Sequence, residues 1–204
     1  TLFVAAFAVR ADILTYGFHC ITYNDATQCA VGEAQFYVDV VGGVQTVDIG
    51  GTPYGPGPGE VLFRFRNTGP VASVIRMVLF DHDHLNPLLV GDPFAIGIPG
   101  NVAFTPDASP GNLPGGNSLT PPFTEDFSLT AEPPPTQWGI DPGEALGVRF
   151  TLATGRSWDD VIGGLNSGSL RIGLHAISIG GQGSEGFVNG DVVPEPAAIL
   201  LVGT

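Results

Sequence analysis

Rows of alternating residues constrain this chain more than any other feature. Val61, Phe63 and Phe65 alternate with Leu62, Arg64 and Arg66. Leu146, Val148, Phe150 and Leu152 form a second row, and Leu170, Ile172, Leu174 and Ala176 a third. Successive side chains on a strand point to opposite faces, so period two marks a strand with one buried face. Glu33 to Val40 and the apolar run Ser73 to Phe80 read as further strands, the second preceded by the turn Asn67-Thr68-Gly69-Pro70. Such strands, separated by Gly- and Pro-rich turns, predict an all-β fold, an antiparallel β-sandwich or jelly roll. One segment breaks the period. Ser157 stands three residues before Asp160, and Trp158, Val161, Ile162 and Leu165 recur at helical spacing. That predicts one short helix from about Trp158 to Asn166, closed by Gly168, with Trp158 in the core. The stretch from Pro99 to Pro142 is rich in proline. Residues 109–117 and Pro133-Pro134-Pro135 cannot form central strands, while Phe123, Phe127 and Leu129 suggest one short strand between them.

Composition decides between a packed domain and low complexity. There are 30 glycines and 18 prolines among 204 residues, but 43% of the residues are hydrophobic, which favours a loop-rich packed domain. Without the apolar segments at either end, roughly 180 residues remain, enough for one domain with a sizeable core. Twenty acidic residues face seven arginines and no lysine, for a net charge of −13. That balance argues against nucleic acid and anionic lipid head groups as partners, and favours divalent cations where carboxylates converge. Eight residues separate Cys20 from Cys29. In an exported chain an isolated pair defaults to a disulfide; the rival, a metal or redox pair, lacks the close C-x-x-C spacing.

The densest polar cluster is Asp81-His82-Asp83-His84, directly after the strand ending at Phe80. If the chain stays extended there, Asp81 and Asp83 share one face and His82 and His84 the other. Asp81 and Asp83 are then candidate metal ligands for Ca²⁺, with help from loop carbonyls near Asn86. The two histidines are a rival pair for a transition metal that must recruit ligands from elsewhere. The plain alternative is a solvated turn, and the pattern demands no cofactor. His175 reads as a surface residue with Arg171 as its neighbour, and His19 as part of the first strand. The Gly-rich pieces Gly163-Gly164 and 180–183 lack the context and the lysine of a phosphate cradle. No G-x-S-x-G or H-E-x-x-H occurs, and the adjacent pairs Glu125/Asp126 and Asp159/Asp160 point their side chains apart. No enzyme is expected.

The ends speak of destination. Val193-Pro194-Glu195-Pro196 interrupts any strand or helix, and Ala197 to Val202 then reads as the start of a membrane segment. This resembles the PEP-CTERM sorting signal of exported bacterial proteins. The resemblance implies an exosortase-type processing enzyme as partner, transient membrane anchoring, and delivery to the cell surface or exopolysaccharide matrix of a Gram-negative-type bacterium. At the other end, Leu2 to Ala8 is apolar, and Val9 and Ala11 place small residues before Asp12. That is the core and cleavage site of a signal peptide; a hydrophobic first strand is the alternative. The expected division is a signal segment over 1–11, one β-domain over 12–190 and a sorting signal over 191–204. Phe18 to Thr22, Gly32 to Phe36, Ser109 to Asn117, Leu170 to His175 and Ser184 to Asn189 also resemble a recurrent group of exported PEP-CTERM β-domains without a settled activity. The expected function is therefore a structural or interaction role at the envelope or in the matrix. The alternative is a Ca²⁺-dependent, lectin-like carbohydrate-binding module, with Trp138 or Tyr54 as stacking face.

Overall fold

The computed structural model describes residues 12–107 and 111–193. The expected signal segment over 1–11 and the Pro194-Glu195-Pro196 motif with the apolar run after it lie outside the described residues.

The domain is all-β and antiparallel. Ten strands form one sheet in the spatial order β7-β10-β5-β2-β1-β12-β11-β6-β9-β8. They are β1 (Ile13–Cys20), β2 (Phe36–Val41), β5 (Glu60–Asn67), β6 (Val74–His82), β7 (Leu89–Ile96), β8 (Phe104–Pro106), β9 (Phe127–Ala131), β10 (Ala145–Leu152), β11 (Leu170–Ile177) and β12 (Ser184–Val192). The sheet curls until edge strands β7 and β8 approach one another, so it is nearly closed. Both edge strands carry a proline, Pro93 and Pro106, at the positions where a missing N–H costs the ladder least. A separate hairpin, β3 (Val47–Ile49) and β4 (Thr52–Tyr54), lies on the outside.

The three alternating rows lie where their period puts them. Val61, Phe63 and Phe65 of β5 and Leu146, Val148 and Phe150 of β10 face inward, as do the four apolar residues of the β11 row. Phe80 sits among them, with ring centroids 5.1 Å from Phe63, 6.0 Å from Phe65 and 4.8 Å from Phe150, all edge to face. Parts of the outer surface are covered too. Val47 and Ile49 of the hairpin pack on Val41, Leu62 and Ile96. Leu113 and Phe123, from the Pro-rich stretch, pack on Leu79. Phe123 is thus a cover residue rather than part of a strand, and β9 begins only at Phe127.

Two helices close opposite poles. Helix α3 (Trp158–Ser167) matches its sequence signals. Ser157 and Asp160 form a capping box, and Gly168 ends the helix with φ 77°, a conformation that favours glycine. Its Val161 and Leu165 enter the core, and half-buried Trp158 donates from Nε1 to the Val40 carbonyl at 3.2 Å. Helix α1 (Ala26–Gln35) corrects the strand expected from Glu33. The helix runs through Gln35, and β2 starts at Phe36. Asp25 caps it by accepting from Thr27 N at 2.7 Å and Gln28 N at 3.1 Å. Gly32 packs so closely on Phe187 that a Cβ there would lie 2.2 Å from the ring. A short turn of helix, α2 (Pro135–Trp138), completes the set.

β1 and β12 pair antiparallel, with Tyr16 opposite Val192. The strand therefore continues two residues past the expected boundary at 190, and Val193 N still donates to the Thr15 carbonyl at 2.8 Å. Asp12 accepts from Gly42 N at 2.7 Å. The first and last described residues thus lie at the same pole, the one that α3 covers.

Candidate functional site

Three polar arrangements stand out, and sequence order hides the partners in each. The first surrounds the disulfide. Cys20 and Cys29 are bonded and nearly fully buried, tying the end of β1 to the first turn of α1. Glu185 on β12, with no exposed surface, holds the loop between them. It accepts from Asn24 N at 3.1 Å, from Asp25 N at 2.8 Å and from the Thr22 hydroxyl. Both sulfurs are consumed by the bond, so these residues offer no thiolate to a metal.

The second arrangement lies on the outer face. Asp39 of β2 is 2% exposed and accepts from Arg64 Nε at 2.7 Å, from Arg66 Nε at 2.8 Å and Nη2 at 2.9 Å, and from the Thr15 hydroxyl at 2.6 Å. Burial alone would raise its pKa. The hydrogen bonds from Arg66 and Thr15 and the charges of Arg66 and Arg64 outweigh that and hold the carboxyl below its ordinary range. Both arginines also line a cleft of about 370 Å³ beneath the β3–β4 hairpin, with Asp48, Thr68 and Glu144 on its walls.

The third is the Asp81-His82-Asp83-His84 segment. Alternation persists to the end of β6 and then stops. Asp81 faces outward and lies directly across from Arg171 in the β6–β11 register. Its carboxylate pairs with that guanidinium and accepts from Thr124 N at 3.1 Å. Arg171 also donates to the carbonyls of Pro121 at 2.7 Å and Pro122 at 2.6 Å and lies over the Phe123 ring. Asp81 is thus part of a clamp that fastens the Pro-rich loop to the sheet. Asp83 lies beyond the strand. It accepts from Leu85 N at 2.9 Å and Asn86 Nδ2 at 3.2 Å, forming the turn that carries His84. These bonds hold the Asp83 carboxyl below its ordinary pKa range. The structure does not bring Asp81 and Asp83 together.

It does bring the two histidines together, and adds a carboxylate that the sequence did not suggest. His82 faces the inside of the sheet at the pole covered by α3, edge to face with Phe127 at 5.5 Å and with His84 at 5.8 Å. Asp126, just before β9, accepts from His82 N through Oδ2 at 2.7 Å. Its own N–H donates to the Phe80 carbonyl at 2.8 Å. His84 Nε2 lies 3.3 Å from Asp126 Oδ1, and His82 Nε2 lies 4.0 Å from Oδ2. One potential ligand atom from each of the three residues lies within 4.8 Å of the others. The neighbouring Glu125 turns the other way, accepting from Leu113 N at 2.6 Å.

No family model, curated protein or solved structure matches this chain.

His175 is half-buried on the outer face of β11. Burial, aided by the charge of Arg76, lowers its pKa to about 4; its charged neighbour is Arg76 and not the expected Arg171. Trp138 ends α2, and Tyr54 packs half-buried against the hairpin cluster. Of the expected sorting motif, Val193 alone is described. No helix among the described residues is long and apolar enough to cross a membrane.

Proposed function

We propose that the chain is an exported domain sorted to the bacterial envelope or extracellular matrix, where it has a structural or interaction role. The observation that carries this reading is the buried Cys20–Cys29 disulfide, a bond that persists in oxidising compartments. The pole chemistry supports it. Cleavage after Ala11 would leave the bond from Gly42 to Asp12 and all of β1 in place. The Pro194-Glu195-Pro196 segment follows within two residues of β12, so a tail processed there would leave the sheet intact. A net charge of −13 without lysine suits a soluble domain among other envelope components.

A carbohydrate partner is favoured by one further observation. Two adjoining clefts of about 410 and 360 Å³ share His19, Gly190 and Asp191 and add Asn166, Asn189 and Tyr37. Amides, a carboxylate and one aromatic ring are the groups that meet sugar hydroxyls and faces. This form of carbohydrate binding does not need Ca²⁺ at Asp81 and Asp83.

The sorting reading is tested in the producing bacterium with the full-length chain. Replacing Pro194, Glu195 and Pro196 together by alanine is expected to leave the protein in the membrane fraction and deplete it from the surface. An unchanged surface yield would count against sorting through this motif.

A further inference from the structure

We propose that His82, His84 and Asp126 form a binding site for a first-row divalent transition-metal ion of the Zn²⁺ type. Two imidazoles and one carboxylate are the donor set that such ions select over Ca²⁺ or Mg²⁺, which prefer oxygen ligands alone. The spacing agrees. Ligand atoms about 2.1 Å from a tetrahedral zinc lie about 3.4 Å from one another. His84 Nε2 and Asp126 Oδ1 are 3.3 Å apart, and His82 Nε2 is 4.0 Å from Oδ2. His84 already stands at that spacing from Asp126, a small rotation of the His82 ring closes the longer distance, and the His84 side chain, 65% exposed, is free to follow. The same exposure leaves the remaining position to water.

Four further features make this more than a chance approach of polar groups. The His82 side chain is 9% exposed, and its Nδ1 has no hydrogen-bond partner. An unsatisfied buried nitrogen is costly, and next to Phe127 an apolar ring would avoid that cost. The imidazole at this place is explained by what its other nitrogen does. Asp126 is equally buried, and its ion-pair partners among the described residues are the two imidazoles, with no arginine. A cation shared by all three neutralises it most completely. Its carboxylate is also fixed before any ion arrives, by the His82 N–H and by the Arg171–Asp81 clamp that docks the loop leading to it. Rigid donors lower the ordering needed on binding. Asp83, between the two histidines, also lines a cleft with Asp159, Asp160 and Arg156, where three carboxylates against one guanidinium leave a net negative charge that attracts cations.

The test is calorimetric titration of ZnCl₂ into the oxidised, chelator-stripped protein, with CaCl₂ as the hard-cation comparison and the visible spectrum of added Co²⁺ as a coordination readout. One Zn²⁺ per chain, a Co²⁺ ligand-field spectrum of nitrogen–oxygen coordination and no heat from CaCl₂ are expected. His84→Ala leaves the exposed turn folded, as circular dichroism will register, and is expected to weaken Zn²⁺ binding by at least about tenfold and abolish the Co²⁺ spectrum. Asp126→Asn should do the same, and His19→Ala should change neither. The proposal is overturned if the parent protein takes up no Zn²⁺, or if His84→Ala binds it as tightly as the parent.

Discussion

Replacing Glu185 by alanine is expected to destabilise the domain by about 3–5 kcal/mol, measured by chemical denaturation under oxidising conditions. The size follows from what the carboxylate holds. It has no exposed surface, and it satisfies two backbone N–H groups, at Asn24 and Asp25, and the Thr22 hydroxyl. Removing it empties a fully buried position and releases the loop that it fastens, half-buried at Thr22 and exposed at Asn24 and Asp25, beside the start of α1. The disulfide acts on the same segment. For a loop this short the bond contributes about 2–3 kcal/mol, and the two effects should not simply add, because each orders the residues between Cys20 and Cys29. A typical domain has about 5–15 kcal/mol in hand, so the alanine variant with its cysteines reduced should be largely unfolded at 37 °C. A loss below about 1 kcal/mol for Glu185→Ala would show that the loop is ordered by something else.

Asp39→Ala comes next, at about 2–4 kcal/mol. Breaking a fully buried ion pair costs about 3–5 kcal/mol, but Arg64 and Arg66 keep 21% and 28% of their side chains in water, which moderates the penalty. Asp39 also gives the acid limb of stability a definite shape. Its folded pKa is depressed, so its contribution is complete above the unfolded carboxylate value and is lost as pH falls through the folded one, below about pH 4. His175 acts earlier. Its folded pKa, about 4, lies below the ordinary imidazole value of about 6.5, so the unfolded chain takes up a proton that the fold refuses. Stability should fall between these two values as pH is lowered. Asp141, whose pKa is raised by burial and by Glu144, works in the opposite sense. Melting temperatures measured from pH 7 to pH 3 should decline in two stages, with His175→Gln removing the first and Asp39→Asn the second. A single decline unaffected by His175→Gln would contradict the assignment.

How much of this was legible depends on the range of the interactions. β5, β10 and β11 were readable because one face of each meets the core, so burial writes itself into adjacent residues with period two. Helix α3 was readable because its signals, the Ser157/Asp160 box and Gly168, are local. Helix α1 was not. Its apolar stripe is weak, Gly32 sits within it, and it passes into β2 without a break. The Asp25-x-x-Gln28 spacing at its start was the available signal. The polar cluster was half legible. His82 and His84 are close in sequence, but Asp126 lies 44 residues from His82 along the chain and adjoins Glu125, from which it points away. Asp81 and Asp83 share a face only where alternation continues, and the strand ends at His82, so Asp83 serves the turn. Arg171, expected beside His175, answers to a partner across the sheet.

The most direct test of the exported reading is the mass of the protein recovered from the surface of cells that produce the full-length chain. The expected result is a polypeptide beginning at Asp12, lighter by two hydrogens for the Cys20–Cys29 bond, and lacking the apolar run after Pro196. A recovered protein that retains residues 1–11 with both cysteines reduced would contradict it.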